Sequence, residues 1–382
     1  MLYLDHAATT PVRREALDAI LPHLTTEFGN PSSHHSVGER AAAALTDARA
    51  AVGRVLGMRQ SDVVFTSGGT EANNLAIKGI AIAAQLGRDA SHVITTAIEH
   101  ESILESVDYL RRVHGFRVTE LPVDEHGRVD PADLAANLDQ DTALVTLGYA
   151  NNEIGTIQDV SALAALARAR GVPIHIDAVQ AAGWLDLSAT ELGVDAISVA
   201  GHKVGAPPGT GALAVRGRVP LEPLLHGGGQ ERGRRSGTES VAGAVALATA
   251  LTLADAEREQ SAARVCAIRD AFIARVLAEV PSARLTGHPH HRLPGSASFT
   301  FAGTSGEAVL LELERRGVVS SSGSACAAGS DEPSHVLVAV GIAPAVAQTS
   351  VRFTLSTHLR EALDGVADAV AASVASVGGH VA

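Results

Sequence analysis

The chain has 382 residues, 46% hydrophobic and 19% charged, enough to bury a large core and too long for one compact unit, so one large and one smaller domain are expected. Its 30 basic against 42 acidic side chains give a formal charge of −12, a surface that repels phosphate backbones and argues against direct nucleic-acid binding. The two cysteines, Cys266 and Cys326, exclude a disulfide framework and a four-thiolate metal site, and no metal is expected.

The first residues show no basic segment leading into an apolar one, so no secretory signal is read and a reduced, cytoplasmic setting is expected. From about residue 60, short β-branched runs alternate with alanine- and leucine-rich stretches, the pattern of an α/β fold with a mainly parallel sheet and crossover helices. A strand is expected at 63–65, entering the turn Ser67-Gly68-Gly69-Thr70 and a helix over 71–84. The next strand, at 93–95, leads through His100 to a helix carrying Ile103, Val107 and Leu110. Further strands are expected at 118–121, 143–147, 174–176, 196–199 and 212–215, with helix starts marked by Asp130-Pro131 and by Ser161. A long helical stretch follows Ser240 to about Val280, and its most apolar part, 241–254, is short and alanine-rich, which suits a buried helix better than a bilayer span. Strand 298–301, helix 307–315, strand 351–355 and helix 359–374 then read as a smaller α+β unit. The last helix has one buried face through Leu359, Leu363, Val366, Val370 and Val374. The large domain is expected over 15–261 and the small one over 1–14 and 262–382.

Three segments carry chemistry. In Gly201-His202-Lys203 a lysine stands just past an apolar strand, at the sheet edge where open α/β folds bind ligands; it is either a solvated loop cation or a lysine able to form a Schiff base with a carbonyl cofactor. Ile174-His175-Ile176 delivers Asp177 to the same edge, either as a helix cap or as the acid that keeps a pyridinium nitrogen protonated. Ser67-Gly68-Gly69-Thr70-Glu71-Ala72-Asn73 is a strand–glycine–helix junction whose free amides can cradle a phosphate, although glycine also serves such turns for backbone reasons alone. It has neither the Walker pattern nor the G-x-G-x-x-G spacing of dinucleotide sites.

Leu4-Asp5-His6-Ala7-Ala8-Thr9-Thr10-Pro11, Phe28-Gly29-Asn30-Pro31-Ser32-Ser33, the 68–74 turn, Ala150-Asn151-Asn152-Glu153-Ile154-Gly155, 175–180, Gly201-His202-Lys203, 227–238 and 321–334 follow one another in the order found in one family. Over nearly its whole length the chain resembles the pyridoxal-phosphate-dependent cysteine desulfurases of iron–sulfur cluster assembly, within the class V aminotransferase family. The resemblance implies a fold-type I, aspartate-aminotransferase-like architecture and the cofactor pyridoxal 5'-phosphate. It implies that Lys203 carries the cofactor, that Asp177 pairs with its ring nitrogen and Gln180 with its ring hydroxyl, and that Gly69, Thr70 and His202 hold the phosphate. His100 would stack on the ring and move protons, although a histidine after a strand also reads as a polar loop residue. Asn152 would lie against the cofactor, Thr238 would reach the phosphate of the other subunit of a homodimer, and Asn30 would help bind substrate. Arg352 matches the arginine that grips the substrate carboxylate; on its residues alone it reads equally as a surface strand cation.

Cys326, in a serine- and glycine-rich stretch at about 320–334, is either a small loop residue or the nucleophile that takes sulfur from L-cysteine as a persulfide, leaving L-alanine. Cys266, between Val265 and Ile268 in a helical stretch, reads as a buried inert thiol. The implied partners are L-cysteine and a sulfur-acceptor protein such as an iron–sulfur scaffold, with tRNA thiolation as a further destination. One departure stands out: Ala200 occupies the place of a serine that usually bonds the phosphate. The competing readings are a selenocysteine lyase or another class V enzyme, a cofactor-free hydrolase using Cys326 with His335, and a sulfur-carrier scaffold in which Lys203 is idle.

Overall fold

A computed structural model describes residues 1–322 and 332–378. The chain opens with β1 (Leu2–Tyr3), α1 (Arg14–Leu24) and α2 (Ser36–Val55). It then runs β2 (Val63–Thr66), α3 (Gly69–Arg88), β3 (His92–Thr96), α4 (Glu101–His114), β4 (Arg117–Leu121), α5 (Pro131–Asn137), β5 (Thr142–Gly148), α6 (Val160–Ala169), β6 (Ile174–Asp177), α7 (Ala189–Leu192), β7 (Ala196–Ala200) and β8 (Gly211–Val215). After α8 (Val241–Glu279) come β9 (Ala283–Leu285), β10 (Ser296–Phe301), α9 (Gly306–Arg315), β11 (Val318–Val319), α10 (His335–Ala339), α11 (Pro344–Ala347), β12 (Ser350–Thr354) and α12 (Asp364–Gly378).

Seven strands form the main sheet in the order β2-β8-β7-β6-β5-β3-β4. Within it β8 alone runs against its two neighbours, and the remaining pairs are parallel. Helices cover both faces, so β5, β6 and β7 are almost wholly buried, with Thr146, His175 and Ser198 set among apolar residues. Chain order reverses between β3 and β5, which places the ligand-binding crevice at the carboxyl ends of those strands and of their neighbours. A second sheet, β12-β10-β9, is antiparallel and has its own core, in which Phe272, Phe299 and Phe353 meet edge to face at 5.3 to 6.2 Å. The 39-residue α8 joins the two cores: Leu247 and Leu251 face the first and Val265, Phe272 and Val276 the second. The domain boundary expected at 261/262 falls inside this helix. Among the described residues no helix is long and apolar enough to cross a membrane.

Several element limits differ from the sequence reading. Helix α6 starts at Val160 with Asp159 as its cap, its side chain accepting the Ala162 amide, so Ser161 lies inside the helix. Helix α12 starts at Asp364 rather than at 359, and Arg264 donates to the carbonyls of Thr357 and Leu359 in the loop before it. Leu363 still reaches the second core from the preceding loop. Helices α1 and α2 lie ahead of the alternating pattern that starts near residue 60, and they bury faces made of Ala16 and Ile20 and of Ala41, Leu45, Ala48 and Val52.

Phe299 is fully buried at the centre of the aromatic cluster. Phe299→Ala is expected to cost about 3–5 kcal/mol through lost contacts and the cavity left behind. Denaturant unfolding followed by near-ultraviolet circular dichroism checks it.

Candidate active site

Asp177 ends β6, and β7 runs into the single turn 201–203 that carries Lys203. Asp177 and Ser198 are register partners, so the two chemical groups leave adjacent strands at one edge. Both Asp177 oxygens accept: Oδ2 from the Asn73 amide at 2.7 Å and Oδ1 from the Val179 backbone N–H at 2.9 Å. Asp177 thus caps a turn, not a helix. Asn73 also donates to Ser102 Oγ at 2.9 Å, and that hydroxyl meets His100 Nδ1 at 2.8 Å. His100 itself is the N-cap of α4 and accepts the Ser102 amide. One hydrogen-bonded chain therefore links α3, β6 and α4 around the carboxylate.

Lys203 is half-buried, and its ammonium donates to the carbonyls of Ala7 and of Ala8, the latter at 2.8 Å. It is not a solvated surface cation. Gln180 Nε2 donates to the same Ala7 carbonyl at 3.1 Å. The 4–10 segment, a motif without an assigned purpose in the sequence, thus lies across Lys203 and Gln180.

In front of α3 the N-cap is Gly68, which offers no side-chain cap. The first-turn amides are therefore left to a ligand. Glu71 reaches back to the Ser67 amide at 2.8 Å and pairs with Arg235 at 2.8 Å, pinning the 227–238 segment to this turn. Gly211 on β8 passes so close that a Cβ there would stand 2.6 Å from Gly68 Cα, so glycine is required for the junction to close. A cavity of about 210 Å³ opens beside it, lined by Ser67, Gly209, Thr210, Arg235 and Thr238. Burial, with Lys203 nearby, lowers the His202 pKa to about 4, so its imidazole is neutral at pH 7 and has an N–H to donate; Nδ1 lies 3.2 Å from Thr9 Oγ1. Ala200 is buried with its methyl beside Gly69.

Arg352 is only 1% exposed, which overturns its reading as a surface cation. Although β12 is a sheet edge, bridges to Asp5 through Thr354 and to Ser321 through Arg352 cover it. The guanidinium donates to Asp5 Oδ1 at 2.7 Å and to the Asn152 carbonyl at 3.0 Å, while Nε is buried without a partner among the described residues. Asn30 is exposed and engaged locally, accepting the Ser32 amide, and Thr238 is also exposed. Cys326 lies outside the described residues. Cys266 is half-exposed on α8 rather than buried, because its side chain faces Asp270 and receives a hydrogen bond from Arg269; desolvation still raises its pKa. Asp5, Asn73, Ser102 and Glu71 stood inside quoted motifs or helices, but nothing in their spacing announced their partners.

A family model for class-V aminotransferases matches residues 2–362. The chain belongs to that family. It is 43% identical to "Cysteine desulfurase IscS" of Dictyoglomus turgidum over 94% of this chain and 90% of the relative, and 44% identical to "IscS-like cysteine desulfurase" of Mycobacterium tuberculosis over 98% and 96%. Among solved structures, a NifS-like protein superposes with a TM-score of 0.88 at 33% identity, covering 99% of this chain and 98% of the other. The family works with pyridoxal 5'-phosphate, and the site suits that group: uncapped helix amides at a glycine cradle for its phosphate, a lysine for its carbonyl, and an acid on the neighbouring strand.

Two residues before Asp177, His175 is buried with its nitrogens on Thr146 Oγ1 at 2.8 Å and Ser198 Oγ at 2.9 Å, and burial lowers its pKa to about 3. The folded state therefore binds fewer protons than the unfolded chain, and stability falls as pH drops below about 6.5. Between pH 7 and pH 5 this group alone is expected to remove about 2 kcal/mol. A His175→Gln variant should show a correspondingly shallower loss in denaturant titrations at the two pH values.

Proposed function

We propose that this chain is a cysteine desulfurase that converts L-cysteine to L-alanine and passes the sulfur to an acceptor protein for iron–sulfur cluster assembly. The observation that carries the reading is the meeting of Lys203 and Asp177 on adjacent strands in front of the α3 amides; the whole-length similarity to proteins bearing that name supports it. A cofactor-free hydrolase does not fit the family membership. Pyridoxal phosphate, when bound, supplies a carbonyl for the substrate amine and an electron-poor ring that stabilises a carbanion at Cα.

The chain's own groups do the rest. Lys203 anchors the cofactor, then takes the α-proton from the substrate and returns it. Asp177, held between Asn73 and Val179, would keep a proton on the ring nitrogen of a bound cofactor, and Gln180 would bond its ring hydroxyl. His100, fixed by Ser102, would stack on the ring, with Asn152 beside it. Gly69, Thr70 and His202 hold the phosphate, with Thr238 contributed across a homodimer. Arg352 receives the substrate carboxylate, for which its unpartnered Nε is a ready donor, and Asn30 assists. The Cys326 thiolate attacks the substrate sulfur, the C–S bond breaks with its electrons left on carbon, and the persulfide carries the sulfur to a cytoplasmic acceptor. In this reading 15–261 is the cofactor domain, and 1–14 with 262–382 the domain that brings Arg352 and Cys326.

Incubation with pyridoxal phosphate, L-cysteine and a thiol reductant should release sulfide and alanine in equal amounts. Lys203→Ala is expected to lose both products and the visible absorption; Cys326→Ala should keep the absorption and lose the sulfide. Wild-type turnover in either variant refutes the assignment. Ala200→Ser is expected to tighten cofactor binding by about tenfold, since a hydrogen bond to a charged group contributes about 1.5 kcal/mol or more. Equilibrium dialysis against pyridoxal phosphate measures it.

A further inference from the structure

We infer that Glu99 is a positioning residue for this reaction, a second carboxyl beside Asp177 whose charge sets the proton affinity of the group bound there. The inference rests on the reading of Asp177 and Lys203 given above. Glu99 lies in the crevice between β3 and β5, where the chain order of the sheet reverses. It is only 5% exposed. Its Oε1 accepts the Thr96 hydroxyl at 2.7 Å and its Oε2 the Gly148 amide at 2.6 Å, so it clamps the end of β3 to the end of β5. Gly148 is the register partner of Asp177, and the next amide, of Tyr149, donates to the Asp177 carbonyl at 2.9 Å. Consecutive amides of β5 point to opposite sides, so the Gly148 amide faces away from β6, and β5 stands between the Glu99 carboxyl and the strand that carries Asp177, which is more than one strand spacing of roughly 5 Å away.

The ionisable groups around it are Asp177 on β6, His100 and Glu101 at the start of α4, and His335 on α10, whose Nε2 meets the Glu99 carbonyl at 3.0 Å and whose Nδ1 faces Glu101. Among the described residues, both hydrogen-bond donors to its carboxylate are neutral. Burial first, with repulsion from Asp177 added, raises its pKa to about 7 against the pull of those two donors. The Thr96 hydroxyl can donate to the ionised form or accept from the protonated one, so the clamp survives in either state. A clamp alone needs no charge; a carboxyl that changes charge near neutrality beside Asp177 does more. Ionised, it would add negative charge on the Asp177 side of the site and strengthen the hold on protons there; protonated, it would leave Asp177 to act alone.

The test uses holoenzyme without substrate. Wild type and Glu99→Gln are loaded with pyridoxal phosphate, and the visible absorption of the Lys203 adduct is titrated from about pH 5.5 to 9. Glutamine keeps an acceptor for Gly148 and a donor for Thr96 and mimics the uncharged state. The expected result is a midpoint lower by about one pH unit in the variant, the direction that loss of a nearby negative charge requires. An identical midpoint in a variant that binds the cofactor normally overturns the inference while leaving the site assignment standing. No Lys203-dependent absorption in the wild type overturns the site assignment and this inference with it. If the variant fails to hold the cofactor, infrared difference spectra of the two proteins decide. A protonated-carboxyl band lost between about pH 6 and 8 in the wild type and missing from Glu99→Gln protein without cofactor supports the inference, and identical spectra of the two refute it.

Discussion

A guanidinium with almost no exposed surface has to be paired, and the pairing of Arg352 organises the site. Its two bonds reach Asp5 in the opening segment and the main chain of Asn152 beyond β5, so three distant stretches of sequence meet on one side chain. The second sheet is thereby tied to the carboxyl edge of the first. The opening segment is fixed from its other side by Lys203 and Gln180, which hold the carbonyls of Ala7 and Ala8. The opening segment becomes a wall of the crevice.

The main sheet supplies what this linkage needs, a rigid edge from which several side chains leave at fixed spacing. Parallel strands buried on both faces cannot shift register without exposing apolar residues, so Asp177, Ser198 and Gly148 hold their relative places. Around them the polar groups form one continuous set: Asn73 joins Asp177 to Ser102 and His100, and Glu99 joins β3 to β5. Such networks are stable in a low-dielectric interior only when nearly every member is satisfied. The left-handed backbone at Glu231 and Arg232 belongs to the same economy of fixed parts: the buried pair of Glu231 with Arg49, at 2.9 Å, holds that conformation where the 227–238 segment turns toward α3.

Much of this was legible in the residues. Every strand of the main sheet was placed to within one or two positions, because short β-branched runs stand out between helical stretches, whether buried like β7 or partly exposed like the edge strand β4. The sheet-edge positions of Lys203 and Asp177 followed from the same pattern. Helices α1 and α2 were not read from the residues, and α12 starts later than expected, after a loop that Arg264, 95 residues from Leu359, holds by its carbonyls.

By itself the sequence determined the α/β class, the order of the elements, the edge at which a lysine and an acid emerge, and the family. Those are properties of short windows and of motif order, which local hydropathy and backbone preference govern. Tertiary structure alone decided that Arg352 is buried and held by Asp5, that the first ten residues close over Lys203, and that Glu99 stands beside Asp177. Each depends on partners brought together by sheet order and by the burial of charge, and neither the depth of a side chain nor its neighbour across a strand is written in its own stretch of chain.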